Sequence, residues 1–499
     1  MSAAPPEKFN LLEPPKQDYG VLRNFIGGKW VDVETDRFVD VDDPASGKVI
    51  AQVPISTTDQ VNDAIQAAQD GYQTWRRTPP GDRGRFMFEI RAAMQRHAEE
   101  LSRLITQENG KVIAEGRGEA MRTIEAVETS AAVTSLMGGY HLEDGAARNI
   151  DEMVVRQPLG VCACITPFNF PIMMTGFWWP YAIAAGNTFV VNQSKQTPIT
   201  ITRVFEIIEE VGLPAGVMNL VQGDRTASAA FMDSPLIKAV GFIGSTPVAK
   251  EIYRRAGETG KRCVANGGAK NFAVFMPDAD VERNMGNLIT SFFGCTGQRC
   301  LATAVVLAVG DIYDELVEKF VAATRALKVG PGLDESVHIG PVISAVANDR
   351  IRDYIQSGID QGAELLVDGR DVVVPGYEGG HYVGPTIFDN CTPDMTICQD
   401  EIFGPVAAIV RVKDLDEALA ITNASPYGNQ AVIYTSNGGH ARRFWYEVEA
   451  GNIGVNIGVA APVAYFPFAG MKDSHYGNGY AMRDSFDLFT EKKVVITRW

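Results

Sequence analysis

The chain has 499 residues, which is too long for a single hydrophobic core and indicates two or three domains. Hydrophobic residues make up 45% of the chain and charged residues 21%, as is typical of a soluble globular protein. The formal net charge of −16 argues against a protein that binds nucleic acid or a membrane surface, because either partner requires a basic face. Anionic ligands would therefore have to be bound by local arginines and by backbone N–H groups.

The cysteines and the N-terminus bear on the cellular compartment. Seven thinly spread cysteines, an odd number, predict neither a disulfide framework nor a zinc site. No charged and then apolar signal sequence opens the chain, and the apolar run at 171–191 is interrupted by glycine, proline and asparagine. We therefore expect no membrane span and a reducing compartment, most simply the cytoplasm.

The first part of the chain is predicted to be mostly helical. Residues 1–20 contain four prolines and are predicted to form a loosely held arm. After strand-like segments between 24 and 39, the apolar spacing predicts helices at 59–75, 83–107 and 112–135. Val161–Thr166 is a short apolar run typical of a buried parallel strand, with two cysteines, Cys162 and Cys164, on one face.

Strands and helices alternate in the rest of the chain, which argues for a doubly wound parallel sheet. One series runs to about residue 265, and a second begins near 278 with a helix before Cys300, a strand at 304–309 and a helix at 313–327. The tail at 492–497 is predicted to be a strand without a local partner. It could pair with 150–156 across a subunit boundary, because an unpaired sheet edge is costly.

Cys300 is the candidate nucleophile of the chain. It lies in the small-residue segment 291–303, where two glycines, Gly294 and Gly297, allow bends, and it directly follows Arg299. A thiol beside a fixed positive charge is stabilised as the thiolate, the form that attacks carbon. A lone cysteine is more often a buried structural residue, so the choice depends on the other motifs.

Five stretches carry the functional argument, and each of them alone is more often a turn or a packed loop. They are Thr166-Pro-Phe-Asn-Phe-Pro171, Phe242-Ile-Gly-Ser-Thr246, Ala265-Asn-Gly-Gly-Ala-Lys270, Gln298-Arg-Cys300 and Glu401-Ile-Phe-Gly-Pro-Val406. The first three follow predicted strands, and ligands bind at the carboxyl ends of parallel strands. The N–H groups of a helix that opens after the second stretch could bind a phosphate.

Together these stretches resemble the aldehyde dehydrogenase superfamily over nearly the whole chain, from about residue 20 to Trp499. Gly340-Pro-Val, Gly384-Pro-Thr and Phe466-Pro-Phe-Ala-Gly-Met-Lys472 belong to the same resemblance. It implies an α/β fold with three parts and a homodimer or homotetramer. The parts are a Rossmann-like cofactor-binding domain (20–145 and 164–268), an α/β catalytic domain (269–475) and a small β oligomerisation arm (146–163 and 476–499).

The resemblance also implies the roles of individual residues. Cys300 would attack an aldehyde, with the oxyanion held by the Asn169 amide and the Cys300 N–H, and hydride transfer to NAD or NADP would leave a thioester. The cofactor contacts that it implies are Thr166, Phe168, Asn192, Lys195, Gly244, Ser245, Glu401 and Phe403. Because the family usually has a glutamate at the position of Lys195, we predict relaxed specificity with NADP accepted.

Asn266 decides the subclass, because most members of the family have a water-activating glutamate there. Asparagine cannot accept a proton at neutral pH, whereas the thiol of coenzyme A supplies some thiolate unaided. The pattern is similar to the CoA-acylating methylmalonate-semialdehyde dehydrogenase branch, in which two arginines bind the substrate carboxylate. Their counterparts here are Arg299 and Arg122, although Arg122 could instead pair with Glu125 on its helix.

We therefore expect NAD(P)-dependent oxidation of a small anionic semialdehyde, methylmalonate or malonate semialdehyde, with transfer of the acyl group to CoA. The first alternative is a hydrolytic dehydrogenase of another anionic aldehyde, such as succinate semialdehyde or a sulfonated aldehyde. A third interpretation is a relative that keeps the fold and has lost the reaction. Retention of Cys300, Asn169 and Glu401 argues against it.

Overall fold

The computed structural model describes residues 9–499, which contain two large sheets and a smaller third one. The first sheet has eight strands, of which the central five are parallel. In spatial order its strands are Lys29–Val31, Asn24–Ile26, Met218–Leu220, Thr188–Gln193, Val161–Thr166, Ile237–Ile243, Arg262–Asn266 and His475–Gly477.

The order of the strands reverses between Val161–Thr166 and Ile237–Ile243. From the first of these strands the chain winds towards one edge of the sheet, and it returns to add Ile237–Ile243 on the other side. Ligands bind in the crevice at such a reversal. The motifs 166–171 and 242–246, which follow these two strands, are thereby brought to the same crevice.

The helices around this sheet either precede its parallel strands in the chain or lie between them. They are Thr58–Trp75, Pro80–Arg96, Ala98–Asn109, Ile113–Ser130, Val133–Leu136, Met173–Gly176, Trp179–Ala185, Ile199–Val211, Arg225–Asp233 and Thr246–Glu258. The first begins with a capping box between Thr57 and Gln60, which satisfies free N–H groups of the first turn. The single helix predicted at 83–107 is divided at His97, whose backbone leaves the helical conformation.

The second sheet has seven strands, six of them parallel. In spatial order they are Glu364–Val367, Thr386–Asp389, Val406–Val412, Thr303–Val309, Asn271–Phe275, Gln430–Tyr434 and Asn452–Val455. The helices around it are Val281–Phe293, Ile312–Arg325, Ala345–Asp360, Thr396–Gln399, Leu415–Ala424 and Gly438–Glu447. Short two-stranded ladders and the helix Ser485–Phe489 complete the fold: Phe38–Asp43 with Lys48–Pro54, Tyr427–Gly428 with Met471–Lys472, and Pro467–Phe468 with Ala481–Met482.

Both large sheets are buried on their two faces, as parallel sheets require. In Val161–Thr166, Cys162 and Cys164 pack on one side of the sheet, while Val161 and Ala163 pack on the other. The prediction that the two cysteines share one face is therefore confirmed. The same alternation divides Asn271–Phe275 between the two faces of the second sheet.

The third sheet corrects a prediction. Its strands are Thr490–Arg498, Ile150–Pro158 and Tyr140–Leu142, in that spatial order and antiparallel. The tail strand pairs with the predicted segment, from Thr490 with Pro158 to Arg498 with Ile150. Both strands belong to the same chain, so the partner is confirmed and its expected place across a subunit boundary was wrong. The division into domains stays a prediction. Two strands cross its predicted boundaries, because Tyr140–Leu142 joins the third sheet and His475–Gly477 joins the first.

The proline-rich N-terminal arm is only partly described, because residues 1–8 lie outside the described residues. Residues 9–20 were predicted to be loosely held, but they are hydrogen-bonded to distant segments of the chain. The backbone N–H of Leu12 donates to the Leu333 carbonyl over 3.0 Å, and the Tyr19 hydroxyl donates to Gln107 Oε1 over 2.8 Å. Within residues 9–499 no helix combines the length and the apolar character that a membrane crossing needs.

Candidate active site

Cys300 lies in a turn between the helix Val281–Phe293 and the strand Thr303–Val309. A short 3₁₀ segment, Gly294–Gly297, precedes it, and Cys295 and Thr296 have left-handed backbones with φ of 49° and 54°. The next residue, Gly297, must be glycine, because its φ is +70° and a Cβ would overlap the Gly404 carbonyl.

Two buried amides hold the backbone of the nucleophile from the other side. The carbonyl oxygen of Cys300 accepts hydrogen bonds from Asn271 Nδ2 over 2.9 Å and from Asn429 Nδ2 over 2.8 Å. Neither amide was predicted to be part of the site. Both belong to the second sheet region, so the catalytic turn is anchored to the strands beneath it.

Two cavities meet at Cys300, which lines both of them. The first has a volume of about 240 Å³ and is mostly apolar, with wall residues such as Phe170, Met174 and Phe177. Its charged lining residues are Glu115, Glu119, Arg122 and Arg299. Both arginines predicted to bind the substrate carboxylate therefore face the same cavity as the predicted nucleophile.

The second cavity leads from Cys300 to the end of the first sheet. Its predicted lining residues are Phe168, Asn169, Gly244, Ser245, Glu401 and Phe403. An adjoining groove shares Gly244 and Ser245, and it adds Thr166, Asn192 and Lys195 together with an unpredicted cation, Arg225. All eight predicted cofactor residues thus line one continuous surface that ends at the candidate nucleophile.

The residues of this surface fit a dinucleotide cofactor. The helix Thr246–Glu258 begins directly after Ser245, whose side chain makes no capping hydrogen bond. The N–H groups of the first turn are therefore left for another acceptor, and the positive end of the helix dipole favours a phosphate there. At the Cys300 end of this surface, Phe168 and Phe403 contact each other edge to face, with ring centroids 5.8 Å apart.

Asn169 is buried and held in a fixed position. Its side-chain Nδ2 donates to the Gln298 carbonyl over 3.0 Å, and its backbone carbonyl accepts from Lys111 Nζ over 2.7 Å. Lys111 in turn forms a fully buried ion pair with Glu119 over 2.7 Å. Because an amide nitrogen carries two hydrogens, one remains for an oxyanion, and the predicted role of Asn169 stays a prediction.

The electrostatics of Cys300 overturn one expectation. Burial raises the pKa of the Cys300 thiol to about 12, and the nearby Glu401 charge acts in the same direction. The Arg299 charge interacts with Cys300 but does not outweigh burial, and its Nη2 donates to Glu115 Oε1 over 2.6 Å. The charge of Arg299 therefore does not by itself lower the pKa of Cys300 as its position next to the cysteine predicted, because burial acts more strongly in the opposite direction.

Glu401 is the titratable group next to Cys300 in the second cavity. One of its oxygens accepts from the backbone N–H of Ala269 over 3.0 Å. Burial raises the pKa of Glu401 to about 7, against the lowering effects of this hydrogen bond and of the Lys270 charge. The carboxyl group therefore keeps its proton to higher pH than an ordinary glutamate does.

Arg122 faces the first cavity and also pairs with Glu125, which was the alternative role predicted for it from the sequence. Its Nη1 lies 2.9 Å from Glu125 Oε2, in a pair whose side chains are 41% and 27% exposed. Such an exposed pair contributes little to stability and separates easily. A ligand carboxylate can therefore replace Glu125 at Arg122.

Two neighbours of the site were not found from the sequence. Glu115 accepts from Arg299, and His475 Nδ1 lies 2.9 Å from the Oδ1 of Asn266. For Glu115 a signal existed, because Glu115, Glu119 and Arg122 are spaced to lie on one face of the helix Ile113–Ser130. No local pattern indicates the contact of His475, which comes from a neighbouring strand of the sheet.

Known proteins are similar to this chain over nearly its whole length. The model of the aldehyde dehydrogenase family matches residues 30–495. The chain is 46% identical over 480 residues to malonate-semialdehyde dehydrogenase 2 of Geobacillus kaustophilus, covering 96% of this chain and 99% of that relative. It is 43% identical over 479 residues to malonate-semialdehyde dehydrogenase of Halalkalibacterium halodurans, covering 96% and 98%.

Solved structures agree with these sequence matches. The methylmalonate-semialdehyde dehydrogenase of Oceanimonas doudoroffii superposes with a TM-score of 0.94 at 42% identity, covering 96% of this chain and 98% of that one. A structure from Sinorhizobium meliloti 1021, assigned to the same activity and complexed with NAD, gives 0.95 at 38% identity, covering 97% and 98%. The resemblance and the fold class predicted from the motifs are confirmed. The chain belongs to the aldehyde dehydrogenase family.

Proposed function

We propose that this protein oxidises malonate or methylmalonate semialdehyde with NAD or NADP and transfers the acyl group to coenzyme A. The observation that carries the proposal is that Cys300 lies at the junction of two cavities, one with two arginines and one with the cofactor residues. The relatives named malonate-semialdehyde dehydrogenase, at 43% and 46% identity, support the choice of substrate.

In the proposed reaction the thiol of Cys300 gives up its proton to water and its sulfur attacks the aldehyde carbon. The amide of Asn169 and the backbone N–H of Cys300 donate to the oxygen that becomes negative, and loss of one such donor costs about 3–4 kcal/mol. When bound, NAD or NADP accepts the hydride from the aldehyde carbon. A thioester on Cys300 remains, oxidised by two electrons relative to the aldehyde.

The second half of the reaction releases the acyl group. The bond from the α-carbon to the substrate carboxylate breaks, CO₂ leaves and is hydrated to bicarbonate, and the α-carbon takes up a proton from water. The thiolate of CoA attacks the thioester carbonyl and displaces the Cys300 sulfur. The products are acetyl-CoA or propanoyl-CoA, and the free thiol is restored by a proton. Asn266 supports this assignment, because its amide cannot activate water as a carboxylate does.

A second candidate is hydrolysis of the thioester with Glu401 as the base. The pKa of Glu401, raised to about 7 by burial, suits a general base at neutral pH, and the residue shares a cavity with Cys300. Succinate semialdehyde and sulfonated aldehydes are the substrates of this candidate. Its product would be a free acid rather than a thioester.

One experiment separates the two candidates. The protein is assayed with a panel of semialdehydes and with NAD or NADP, each with and without CoA, and the products are identified by mass spectrometry. Acyl-CoA formation at a rate that depends on CoA supports acyl transfer. Free acid released at full rate without CoA favours hydrolysis, and oxidation by a Cys300→Ala variant would refute both.

We also propose that the protein is a cytoplasmic homodimer or homotetramer assembled through the sheet of Thr490–Arg498. Val494 and Ile496 of this strand are 66% and 64% exposed, and apolar residues on a sheet edge favour contact with another protein surface. All seven cysteines are free thiols, in keeping with a reducing compartment. Light scattering of the wild type and of a Val494→Lys variant tests the assembly.

A further inference from the structure

Arg299 and Arg122 both face the substrate cavity, and each already has a carboxylate partner. The pair of Arg299 with Glu115 is largely buried, with side chains 13% and 17% exposed. The pair of Arg122 with Glu125 is more open, at 41% and 27%. Buried pairs are costly to separate and open pairs are not. The two carboxylates therefore affect their arginines differently when an anionic substrate arrives.

Glu115 holds Arg299 through a single oxygen. Its Oε1 accepts from Arg299 Nη2 over 2.6 Å and from the backbone N–H of Cys295 over 2.7 Å. Hydrogen bonds to an ionised acceptor are short and strong, and both of these are. One carboxylate oxygen thus joins the helix Ile113–Ser130 to the guanidinium and to the left-handed turn before Cys300.

Gly294 forms the surface on which the guanidinium lies. A Cβ added to Gly294 would come within 2.5 Å of Arg299 Nη1, 2.6 Å of Cζ and 2.7 Å of Nη2. The backbone of Gly294, with φ of −59° and ψ of 141°, suits any residue, so glycine is not required there for its conformation. The space that Gly294 leaves is therefore the space that Arg299 fills.

Arg299 keeps donors that the protein does not use fully. Its Nη1 makes a long contact of 3.4 Å with the Thr290 carbonyl, and the guanidinium also interacts with the Cys295 thiol. Its Nε has no partner within residues 9–499. A substrate carboxylate can accept from Nη1 while Glu115 stays on Nη2, because the planar guanidinium carries several donors in fixed directions.

We propose that Glu115 and Gly294 hold the Arg299 guanidinium in one position and thereby set the preference for carboxylated over neutral aldehydes. Glu125 is the opposite case, a competitor that occupies Arg122 until the substrate carboxylate replaces it. The inference rests on the proposed function, since it deals with the same substrate cavity. Glu115 and Gly294 are positioning residues that act through Arg299.

The test compares malonate semialdehyde with propanal, a neutral aldehyde with the same number of carbons. The measured quantity is the ratio of the two kcat/KM values at saturating NAD and CoA, for the wild type, Glu115→Ala, Glu115→Gln and Gly294→Ala. The matched control is Glu125→Ala, which removes a carboxylate from the other arginine. Thermal midpoints of all variants establish that each one is folded.

In the ratio of the two aldehydes we expect a loss of about tenfold or more for Glu115→Ala and Gly294→Ala, because the arginine no longer meets the carboxylate in a fixed geometry. The loss should fall mainly on KM for malonate semialdehyde. Glu115→Gln should keep part of the ratio, since its Oε1 still accepts from both donors. Glu125→Ala should keep the ratio at or above that of the wild type.

Gly294→Ala distinguishes the positioning of Arg299 from a general effect on the turn, because it leaves the contact of Glu115 with the Cys295 backbone intact. A ratio within twofold of the wild type in either Glu115→Ala or Gly294→Ala overturns the inference. An equal loss for both aldehydes also overturns it, because Glu115 would then support only the turn that carries Cys300. A wild type without preference for the carboxylated aldehyde would instead refute the proposed function.

Discussion

The Nδ1 atom of His475 lies 2.9 Å from the Oδ1 atom of Asn266, and the two residues face each other across an antiparallel pair of strands. Burial lowers the pKa of His475, so its ring is neutral at neutral pH. The amide at this position is therefore already bonded within the protein. It offers no basic group to a water molecule next to a thioester.

The first prediction concerns this position. Replacement of Asn266 by glutamate should increase the release of free acid in the absence of CoA, on the order of a hundredfold, because a positioned carboxylate can act as general base. The measurement is free acid formed per NADH, by mass spectrometry. The control, Asn266→Gln, brings no base, and free acid equal in the two variants would contradict the prediction.

The second prediction concerns the pH dependence of Cys300. Because burial raises the pKa of its thiol to about 12, the rate of alkylation by iodoacetamide should rise about tenfold per pH unit without a plateau below pH 9. Above its own pKa of about 7, the Glu401 anion raises the pKa of Cys300 further. Glu401→Gln should therefore move the curve to lower pH.

Mass spectrometry of the alkylated cofactor-free protein follows the Cys300 peptide by itself. A Cys300→Ser variant identifies that peptide by its loss. A plateau below pH 9 in the wild type would mean that the pKa of the Cys300 thiol is not raised as expected. An unchanged curve for Glu401→Gln would exclude the influence of the carboxylate.

The third prediction concerns the fully buried ion pair of Lys111 with Glu119. Glu119→Gln leaves the ammonium group without a counter-charge and should reduce the free energy of unfolding by about 3–5 kcal/mol. The urea midpoint measures the effect. As a control, Glu251→Gln removes an exposed partner of Arg254 and should leave the midpoint nearly unchanged, so equal midpoints would contradict the prediction.

The fourth prediction concerns the choice between NAD and NADP. Lys195 and Arg225 line the cofactor groove, and a cation there attracts the 2′-phosphate of NADP. Lys195→Glu should lower the ratio of kcat/KM for NADP to that for NAD by about tenfold, because a carboxylate repels the phosphate. The exposed Lys238 lies outside the groove, so Lys238→Glu should not change the ratio. A wild type with more than a hundredfold preference for NAD would contradict the expected use of NADP.

Much of the fold followed from local patterns. The strand Val161–Thr166 has the predicted bounds, and the helix predicted at 59–75 is found as Thr58–Trp75, because an apolar run and a capping residue mark such elements directly. The motifs at the ends of the strands lie together, since the carboxyl ends of parallel strands share one edge.

The parts that failed depend on contacts between distant segments. Arg299 pairs with a carboxylate 184 positions earlier in the chain, and nothing in the residues next to it shows in which direction its side chain lies. The charge that was expected to stabilise the Cys300 thiolate is therefore engaged elsewhere. The partner segment of Thr490–Arg498 was predicted, but no local pattern shows whether such a pairing forms within one chain or between two chains.

The pairing of Ile150–Pro158 with Thr490–Arg498 also has a consequence for biosynthesis. The earlier strand leaves the ribosome roughly three hundred residues before its partner, a delay on the order of half a minute at ordinary translation speeds. During that time one of its long edges is open to other nascent chains. Premature termination before the last strand would make this exposure permanent, so shortened products of this chain should aggregate rather than accumulate as folded protein.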